Sequence, residues 1–169
     1  MGFLELGGQR LEYTWLRVAA ETAPTLVFLH EGLGSVALWK DFPRQLAHAS
    51  GCNALVYSRQ GYGRSSPLTR PREPDFMHVE ALEVLPALLD ALGVHEPILF
   101  GHSDGASIAL IHAGSGLRPV RGAILLAPHV MVEELCLHSI AAARADQAGS
   151  DLGTRLAPYH ADPEGAFRG

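Results

Sequence analysis

Cysteine is scarce in this chain, whose 169 residues include only Cys52 and Cys136, far apart in the sequence. That spacing forms neither a disulfide framework nor a thiolate metal site, and it fits a reducing cytoplasm. Basic residues are scattered and the net charge is −5, which argues against a nucleic-acid partner. No nonpolar run approaches the roughly 18 residues of a membrane span, and the N-terminus lacks signal-peptide features. We therefore expect a cytoplasmic protein without nucleic-acid or membrane partners.

The distribution of nonpolar residues predicts strands that alternate with helices. Residues 3–6 and 10–20 alternate nonpolar and polar side chains, as in an antiparallel hairpin with one solvated face. Four continuous nonpolar runs predict parallel strands covered on both faces: residues 25–30, 53–58, 97–100 and 120–126. Helical patterns lie between these strands: residues 36–50, broken or kinked at Pro43, residues 75–92, interrupted at Pro86, and residues 104–113. This alternation predicts an α/β fold with a mostly parallel sheet flanked by helices.

The pattern changes after residue 128. Residues 132–148 are rich in alanine and predict a helix, with Glu133 and Glu134 near its start, where the helix dipole favours acids. Residues 149–169 are polar and rich in turn-forming residues. We therefore divide the chain into an α/β core, residues 1–128, and the start of an incomplete helical cap or lid, residues 129–169.

A Gly-x-Ser-x-Gly motif runs from Gly101 to Gly105, between a buried-type strand and a nearly all-nonpolar helix. With 18 glycines in the chain the bare motif is a weak signal, so its flanks carry the prediction. In this context the motif is a nucleophile elbow, a strained turn that exposes the serine Oγ at the top of a sheet. Side chains two residues to either side would crowd the turn, which explains the glycines. We predict that Ser103 is a nucleophile.

Two more motifs precede the elbow. Residues 30–35 (His-Glu-Gly-Leu-Gly-Ser) follow the first buried strand, and residues 58–65 (Ser-Arg-Gln-Gly-Tyr-Gly-Arg-Ser) follow the second. In this order the three motifs resemble the α/β-hydrolase superfamily. The first resembles the His-Gly oxyanion loop of that family, and the second resembles its Asp-x-Arg-Gly-x-Gly-x-Ser turn. Residues 126–129 resemble the end of the sixth strand, after which many members insert a helical cap.

The resemblance implies a catalytic triad in the chain order Ser, Asp or Glu, His. In the family the acid follows the seventh strand and the histidine follows the eighth, and neither strand is found here. The chain therefore resembles the N-terminal two-thirds of the family's architecture, truncated after about the sixth strand. That strand would form an exposed sheet edge, through which copies of the chain could associate.

The oxyanion hole is predicted from the same motifs. Backbone N–H groups are suitable donors because they need no reorganisation during the reaction. We expect one from Asp104 and the other from Gly32, although Leu33 or Glu31 are alternatives because Glu31 departs from the usual His-Gly pair. The Asp104 carboxylate would oppose the developing negative charge, so we expect it to point away and cap the following helix. Its alternative role is to hold a water or a polar substrate group.

Nine histidines require separate interpretation. His30, Leu33, His102 and His129 are predicted to line the substrate pocket, with His30 also hydrogen-bonded to backbone near the oxyanion loop. His129 follows a parallel strand, where ligands bind in such sheets, and with Glu133 or Glu134 it could imitate part of a triad. The others are interpreted as surface or helix residues: His48, His78, His95, His112, His138 and His160. No pair has a convincing metal spacing.

Arg59 and Arg64 lie in the glycine-rich turn. They could bind an acidic substrate, but the resemblance favours a structural role in which they tie loops together.

Together these features predict a hydrolase of small esters or related acyl compounds that works through Ser103, an acyl-enzyme and no cofactor. Relatives with the same elbow also cleave amides, lactones and carbon–carbon bonds, and the sequence does not choose among them. The alternative is a catalytically incomplete hydrolase remnant that binds a ligand or partner, because no family acid or histidine is identified. The expected partners are a small-molecule acyl substrate and a second copy of the chain.

Overall fold

The computed structural model describes residues 1–146 and 152–168. Six strands form one sheet: β1 (Gly2–Leu6), β2 (Gln9–Leu16), β3 (Thr25–Leu29), β4 (Asn53–Tyr57), β5 (Ile98–His102) and β6 (Gly122–Leu126). The sheet has the order β1-β2-β4-β3-β5-β6. Strands β4, β3, β5 and β6 run parallel, while β2 pairs antiparallel with both β1 and β4. The predicted mostly parallel sheet, with its N-terminal hairpin, is confirmed.

The described helices are α1 (Phe42–Ser50), α2 (Phe76–Val79), α3 (Leu85–Ala91), α4 (Asp104–Ser115), α5 (Glu134–Asp146), α6 (Leu152–Leu156) and α7 (Pro163–Arg168). Helices α3 and α4 pack on one face of the sheet, and α1 packs on the other. One face of β3 packs Val27 and Leu29 into a cluster with Ile108 of α4. The opposite face packs Leu26 and Phe28 into a second cluster. Successive side chains of a strand point to opposite faces of the sheet, so burial of both faces requires nonpolar residues in succession along β3. The loop that follows β3 faces the elbow.

Both prolines in the helical patterns lie in the first turn of a helix. Helix α1 begins at Phe42, so Pro43 starts this helix and does not kink a longer one. Pro86 lies in the first turn of α3, and a π-helical stretch, residues 80–84, joins α3 to α2. Because proline lacks an N–H, the hydrogen-bond ladder must rearrange before it, which accounts for the π-helical stretch.

Residues 152–168 also differ from the predicted turn-rich segment. They form the short helices α6 and α7, while residues 149–151 and 169 of that prediction lie outside the described part. Leu156, His160 and Ala166 are buried, and the Ala161 N–H donates to the carbonyl of Gly63 at 2.7 Å. The segment therefore packs against the glycine-rich turn.

Glu12 on β2 contradicts the prediction of a solvated face for the hairpin. Its side chain is buried, and Oε2 accepts hydrogen bonds from Ser58 Oγ and from the Arg64 N–H, both at 2.9 Å. Because a buried carboxylate requires hydrogen-bond partners, these contacts attach the glycine-rich turn to the hairpin.

Strand β6 lies at the end of the sheet order, next to β5. Ile124 and Leu126 are 42% and 45% exposed, whereas residues 26–29 of β3 are buried. The strand predicted to be the fourth buried one is therefore half open to solvent.

Candidate active site

Ser103 connects β5 to α4 with φ 52° and ψ −119°. Few non-glycine residues adopt a positive φ, and the strain persists only where the surroundings enforce it. A Cβ on Gly101 would lie 2.4 Å from the carbonyl oxygen of Gly105, and a Cβ on Gly105 would lie 2.0 Å from that of Leu29. The Ser103 N–H donates to the carbonyl of Leu126 at 2.8 Å. The chain therefore has the geometry of the predicted nucleophile elbow.

His129 lies against the elbow serine. The distance from its Nε2 to Ser103 Oγ is 2.9 Å, a hydrogen bond of normal length. The His129 N–H donates to Ser107 Oγ at 2.8 Å, one turn along α4. The imidazole is 45% exposed, so one side of it remains open to solvent.

The carboxylate near His129 belongs to neither predicted glutamate. Asp104 Oδ1 lies 3.6 Å from His129 Nε2, whereas Glu133 Oε2 lies 3.8 Å from Cys136 Sγ. The suggested partial triad of His129 with Glu133 is therefore not formed. Nothing in the sequence indicated that Asp104 would lie near His129, because its carboxylate was expected to point away from the oxyanion hole.

The Asp104 side chain does not point away from the site, which contradicts the prediction. Its Oδ2 is 3.8 Å from Arg59 Nη2, and a Cβ placed on Gly32 would lie 3.2 Å from the same oxygen. The positive charge of Arg59 provides a physical reason for this orientation, because a partly buried carboxylate is stabilised by a nearby cation. The carboxylate thus lies beside the loop that was predicted to form the oxyanion hole.

The loop 30–35 is held by Arg59, which has no exposed surface. The guanidinium donates to the carbonyls of His30 and Glu31, which joins the glycine-rich turn to this loop. The predicted structural role of Arg59 is therefore confirmed, whereas Arg64 is exposed and its Nη1 lies 3.9 Å from Met1 Sδ. Gly32 and Asp104 lie side by side near Ser103, and their roles as oxyanion donors stay a prediction.

His30 has a different environment from the predicted pocket lining. It is 1% exposed. Its Nδ1 donates to the carbonyl of Glu31 at 2.6 Å, and its Nε2 accepts from the Arg59 N–H at 3.1 Å. Burial, reinforced by the charge of Arg59, holds the pKa of His30 well below its usual value. His30 is thus a neutral residue that ties two loops together, as its predicted backbone hydrogen bond implied, and it does not face a pocket.

The other two predicted pocket residues, His102 and Leu33, lie in the elbow and in the loop 30–35, respectively. His102 is half-exposed, and its Nδ1 lies 3.4 Å from Glu31 Oε2. Leu33 has φ 62°, and its carbonyl accepts a hydrogen bond from His160 Nε2 at 2.9 Å. Their contact with a substrate remains a prediction.

His160 was interpreted as a surface or helix residue, and this interpretation is wrong. The ring is 5% exposed, its Nδ1 accepts from the Gly63 N–H at 3.0 Å, and its Nε2 donates to Leu33. It therefore links the glycine-rich turn to the predicted oxyanion loop. The contact spans 97 residues of sequence, so no local pattern could have indicated it.

The described residues hold no group of three or more His, Cys, Asp or Glu side chains that could bind a metal ion. Over the same residues, none of the helices has the length and hydrophobicity needed to cross a bilayer. Both cysteines are free thiols.

We expect acid to destabilise the fold through two histidines. Burial lowers the pKa of both His30 and His160 below the value of about 6.5 typical of an unfolded chain. The folded state then binds fewer protons than the unfolded state. This contribution to stability is therefore present above pH 6.5, and it decreases as the pH falls below 6.5 towards the folded-state pKa values. The loss for each histidine is at most about 1.4 kcal/mol per pH unit.

Urea unfolding at pH 7.5 and 5.5 measures this effect in wild type, His160→Gln and the exposed control His138→Gln. The free energy of unfolding should decrease less between these pH values in His160→Gln than in the other two proteins. Burial raises the pKa of Glu80 and acts in the opposite direction, so the comparison between variants isolates the histidine. Equal decreases in all three proteins would contradict the assignment of His160.

Comparison with known proteins places this geometry in a family. A family model for the alpha/beta hydrolase fold matches residues 24–154. A sn-1-specific diacylglycerol lipase of Mus musculus is 29% identical over 92 residues, which are 54% of this chain and 28% of the lipase. The chain therefore spans well under half the length of this curated relative.

Solved structures share the fold at low sequence identity. A structure from a study of carboxylesterases of Nitrososphaera gargenis is 21% identical, with a TM-score of 0.73 over 93% of this chain and 56% of the other. An enol-lactonase from Burkholderia xenovorans is 20% identical, with a TM-score of 0.71 over 99% of this chain and 71% of the other. With the strand order, the elbow and the matched family model, these similarities lead to one conclusion: the chain belongs to the alpha/beta hydrolase fold family.

Proposed function

We propose that this chain is a serine-dependent hydrolase that acts on small esters or related acyl compounds. The observation that carries the proposal is the strained backbone of Ser103, with its Oγ hydrogen-bonded to an imidazole. A serine hydroxyl is a weak nucleophile unless a base lies within hydrogen-bonding distance. A lipase, carboxylesterases and an enol-lactonase are among the similar proteins, and these names favour an ester over an amide as the substrate.

The proposed reaction has two stages. Ser103 Oγ attacks the acyl carbon, the bond from that carbon to the leaving oxygen breaks, and an acyl-enzyme forms. Water then attacks the same carbon and releases the acid and the free serine. In the tetrahedral intermediates of both stages, the N–H groups of Asp104 and Gly32 would donate to the oxyanion, with Leu33 or Glu31 as alternatives to Gly32.

The proposal also covers the cofactor, the cellular compartment and the substrate contacts. Acyl transfer at a serine needs no cofactor. We propose a reducing cytoplasm as its compartment, since both cysteines are free thiols. His102, next to Ser103 in the elbow, and Leu33, in the loop 30–35, are the proposed contacts of the acyl substrate.

The proposal is tested by intact-mass analysis after treatment with a fluorophosphonate, together with hydrolysis of p-nitrophenyl acetate. One adduct is expected on wild type, and none on Ser103→Ala, whose ester hydrolysis should fall to the buffer rate. Ser139→Ala, at an exposed position on α5, serves as the control and should behave as wild type. Labelling of Ser103→Ala to the wild-type extent, or no adduct on the folded wild type, would refute the nucleophile.

A second candidate is a hydrolase remnant that binds a ligand or partner. The exposed nonpolar side chains of β6 favour it, because an open strand edge promotes association between chains. We expect this form to sediment as a homo-oligomer without reacting with the fluorophosphonate. A labelled monomer in sedimentation velocity would exclude it.

A further inference from the structure

We infer that His129 is the general base and acid that serves Ser103 within this chain. The inference rests on the proposed function, since it assigns a second catalytic residue to the same reaction. His129 follows the sixth strand, whereas the family resemblance places the catalytic histidine after an eighth strand. The observation behind the inference is the 2.9 Å distance from His129 Nε2 to Ser103 Oγ. A base must lie within this range of the proton that it removes.

The segment that carries His129 is fixed against the elbow by backbone hydrogen bonds. The Ser103 N–H donates to the carbonyl of Leu126, and the His129 N–H donates to Ser107 Oγ. Between them, Ala127 adopts φ 51°, which turns the chain towards α4. Because Leu126 and Ser107 both hold the segment, the imidazole is positioned by the same elements that position the nucleophile.

The other histidines near the site have their ring nitrogens engaged elsewhere. Nδ1 of His102 faces Glu31, although His102 is adjacent to Ser103 in sequence. Both ring nitrogens of His30 and of His160 are hydrogen-bonded within the loops. Within residues 1–146 and 152–168, the imidazole that contacts Ser103 Oγ is therefore that of His129.

The polarity of the surroundings suits a proton acceptor. Asp104 Oδ1 lies 3.6 Å from the same Nε2, so a negative group faces the nitrogen that becomes charged when it takes the serine proton. Arg59 lies 3.8 Å from the other oxygen of Asp104 and holds this carboxylate in place. This arrangement differs from the usual triad, in which the acid contacts the opposite ring nitrogen.

In the proposed reaction, His129 Nε2 accepts and returns each proton that is transferred. Nε2 takes the Ser103 hydroxyl proton while Oγ bonds to the acyl carbon, and Nε2–H then gives that proton to the leaving oxygen. In the second stage, Nε2 takes a proton from the attacking water and returns it to Oγ as the bond from Oγ to the acyl carbon breaks. The His129 side chain is 45% exposed, so water can reach the imidazole.

The inference is tested by the rate of fluorophosphonate labelling in wild type, His129→Gln, His129→Ala and His138→Gln. In this reaction Oγ bonds to phosphorus, fluoride leaves, and the serine proton passes to the base. We expect both His129 variants to label about 10²–10⁴-fold more slowly than wild type, the usual contribution of a general base. His138→Gln, an exposed histidine on α5, should label at the wild-type rate.

Chemical rescue separates a base from a structural residue. Because the position is half-exposed, free imidazole should restore labelling of His129→Ala and leave wild type unchanged. If the His129 variants label as fast as wild type, or if they label slowly and imidazole does not restore the rate, His129 is not the base. In either case Ser103 would still be the nucleophile. A folded wild type that does not label would instead refute the proposed function, and with it this inference.

Discussion

Replacing Gly105 by alanine is expected to cost at least about 4 kcal/mol of stability, enough to unfold many small domains. The added Cβ would lie 2.0 Å from the carbonyl oxygen of Leu29, 2.4 Å from its carbonyl carbon and 2.7 Å from the oxygen of His30. These are backbone atoms at the end of β3, which is paired with β4 on one side and β5 on the other. Because the sheet cannot shift without losing these ladders, α4 and the elbow must move instead.

The same helix offers a matched control for this substitution. A Cβ on Gly114 would meet no atom within 4 Å, and the residue is exposed in the last turn of α4. Gly114→Ala should therefore stabilise the protein slightly, by about 0.5–1 kcal/mol, because glycine is a poor helix former. Urea unfolding of both variants measures the contrast. Equal stability of Gly105→Ala and Gly114→Ala would show that close packing of α4 on β3 is not essential.

The elements that could be predicted from the sequence are those specified by local patterns. Each buried strand is a nonpolar run, and the elbow is a fixed spacing of two glycines around Ser103. His129 was expected mainly to line the pocket, with part of a triad as its alternative role, and its hydrogen bond to Ser103 depends on the turn at Ala127 after β6. That turn has a positive φ in a residue that is not glycine, so no sequence signal marked it.

Contacts between distant segments account for the remaining errors. Alternation in the hairpin placed Glu12 on a solvated face, but its carboxylate accepts hydrogen bonds from the glycine-rich turn. His160 was interpreted as a surface or helix residue, but it joins two loops that precede it by 97 and 127 residues. In both cases a buried backbone N–H needed an acceptor, and a side chain distant in sequence supplied it. Such requirements become visible only when the loops are in place.

Asp104 shows how one buried charge alters an otherwise sound expectation. An isolated carboxylate would oppose the negative charge that develops in an oxyanion hole and should point away from it. In this chain, however, the Arg59 guanidinium reaches the predicted oxyanion loop from the glycine-rich turn and lies 3.8 Å from Asp104. The orientation of Asp104 therefore follows from a neighbouring loop and not from the elbow motif.

Replacement of Arg59 by an uncharged residue is the second substitution with a large expected effect. Arg59→Met should cost about 3–5 kcal/mol, the usual consequence of deleting one partner from a buried ionic site. The variant would leave the carbonyls of His30 and Glu31 without their guanidinium donor, and Asp104 without its neighbouring cation. Arg59→Lys should be intermediate, because a single ammonium cannot reproduce the forked geometry of a guanidinium.

Arg64→Met is the matched control, because this arginine lies in the same turn but is exposed, and it should change stability by less than about 0.5 kcal/mol. Unfolding in urea gives the stabilities, and fluorophosphonate labelling at a temperature where all variants are folded gives the reactivity of Ser103. If Arg59 orders the loop 30–35 and holds Asp104 beside Gly32, Arg59→Lys should label more slowly than Arg64→Met. Arg59→Met as stable as Arg64→Met would mean that the loop keeps its position without the buried guanidinium. If Arg59→Lys labels at the control rate, Arg59 contributes to the stability of the fold but not to the reactivity of Ser103.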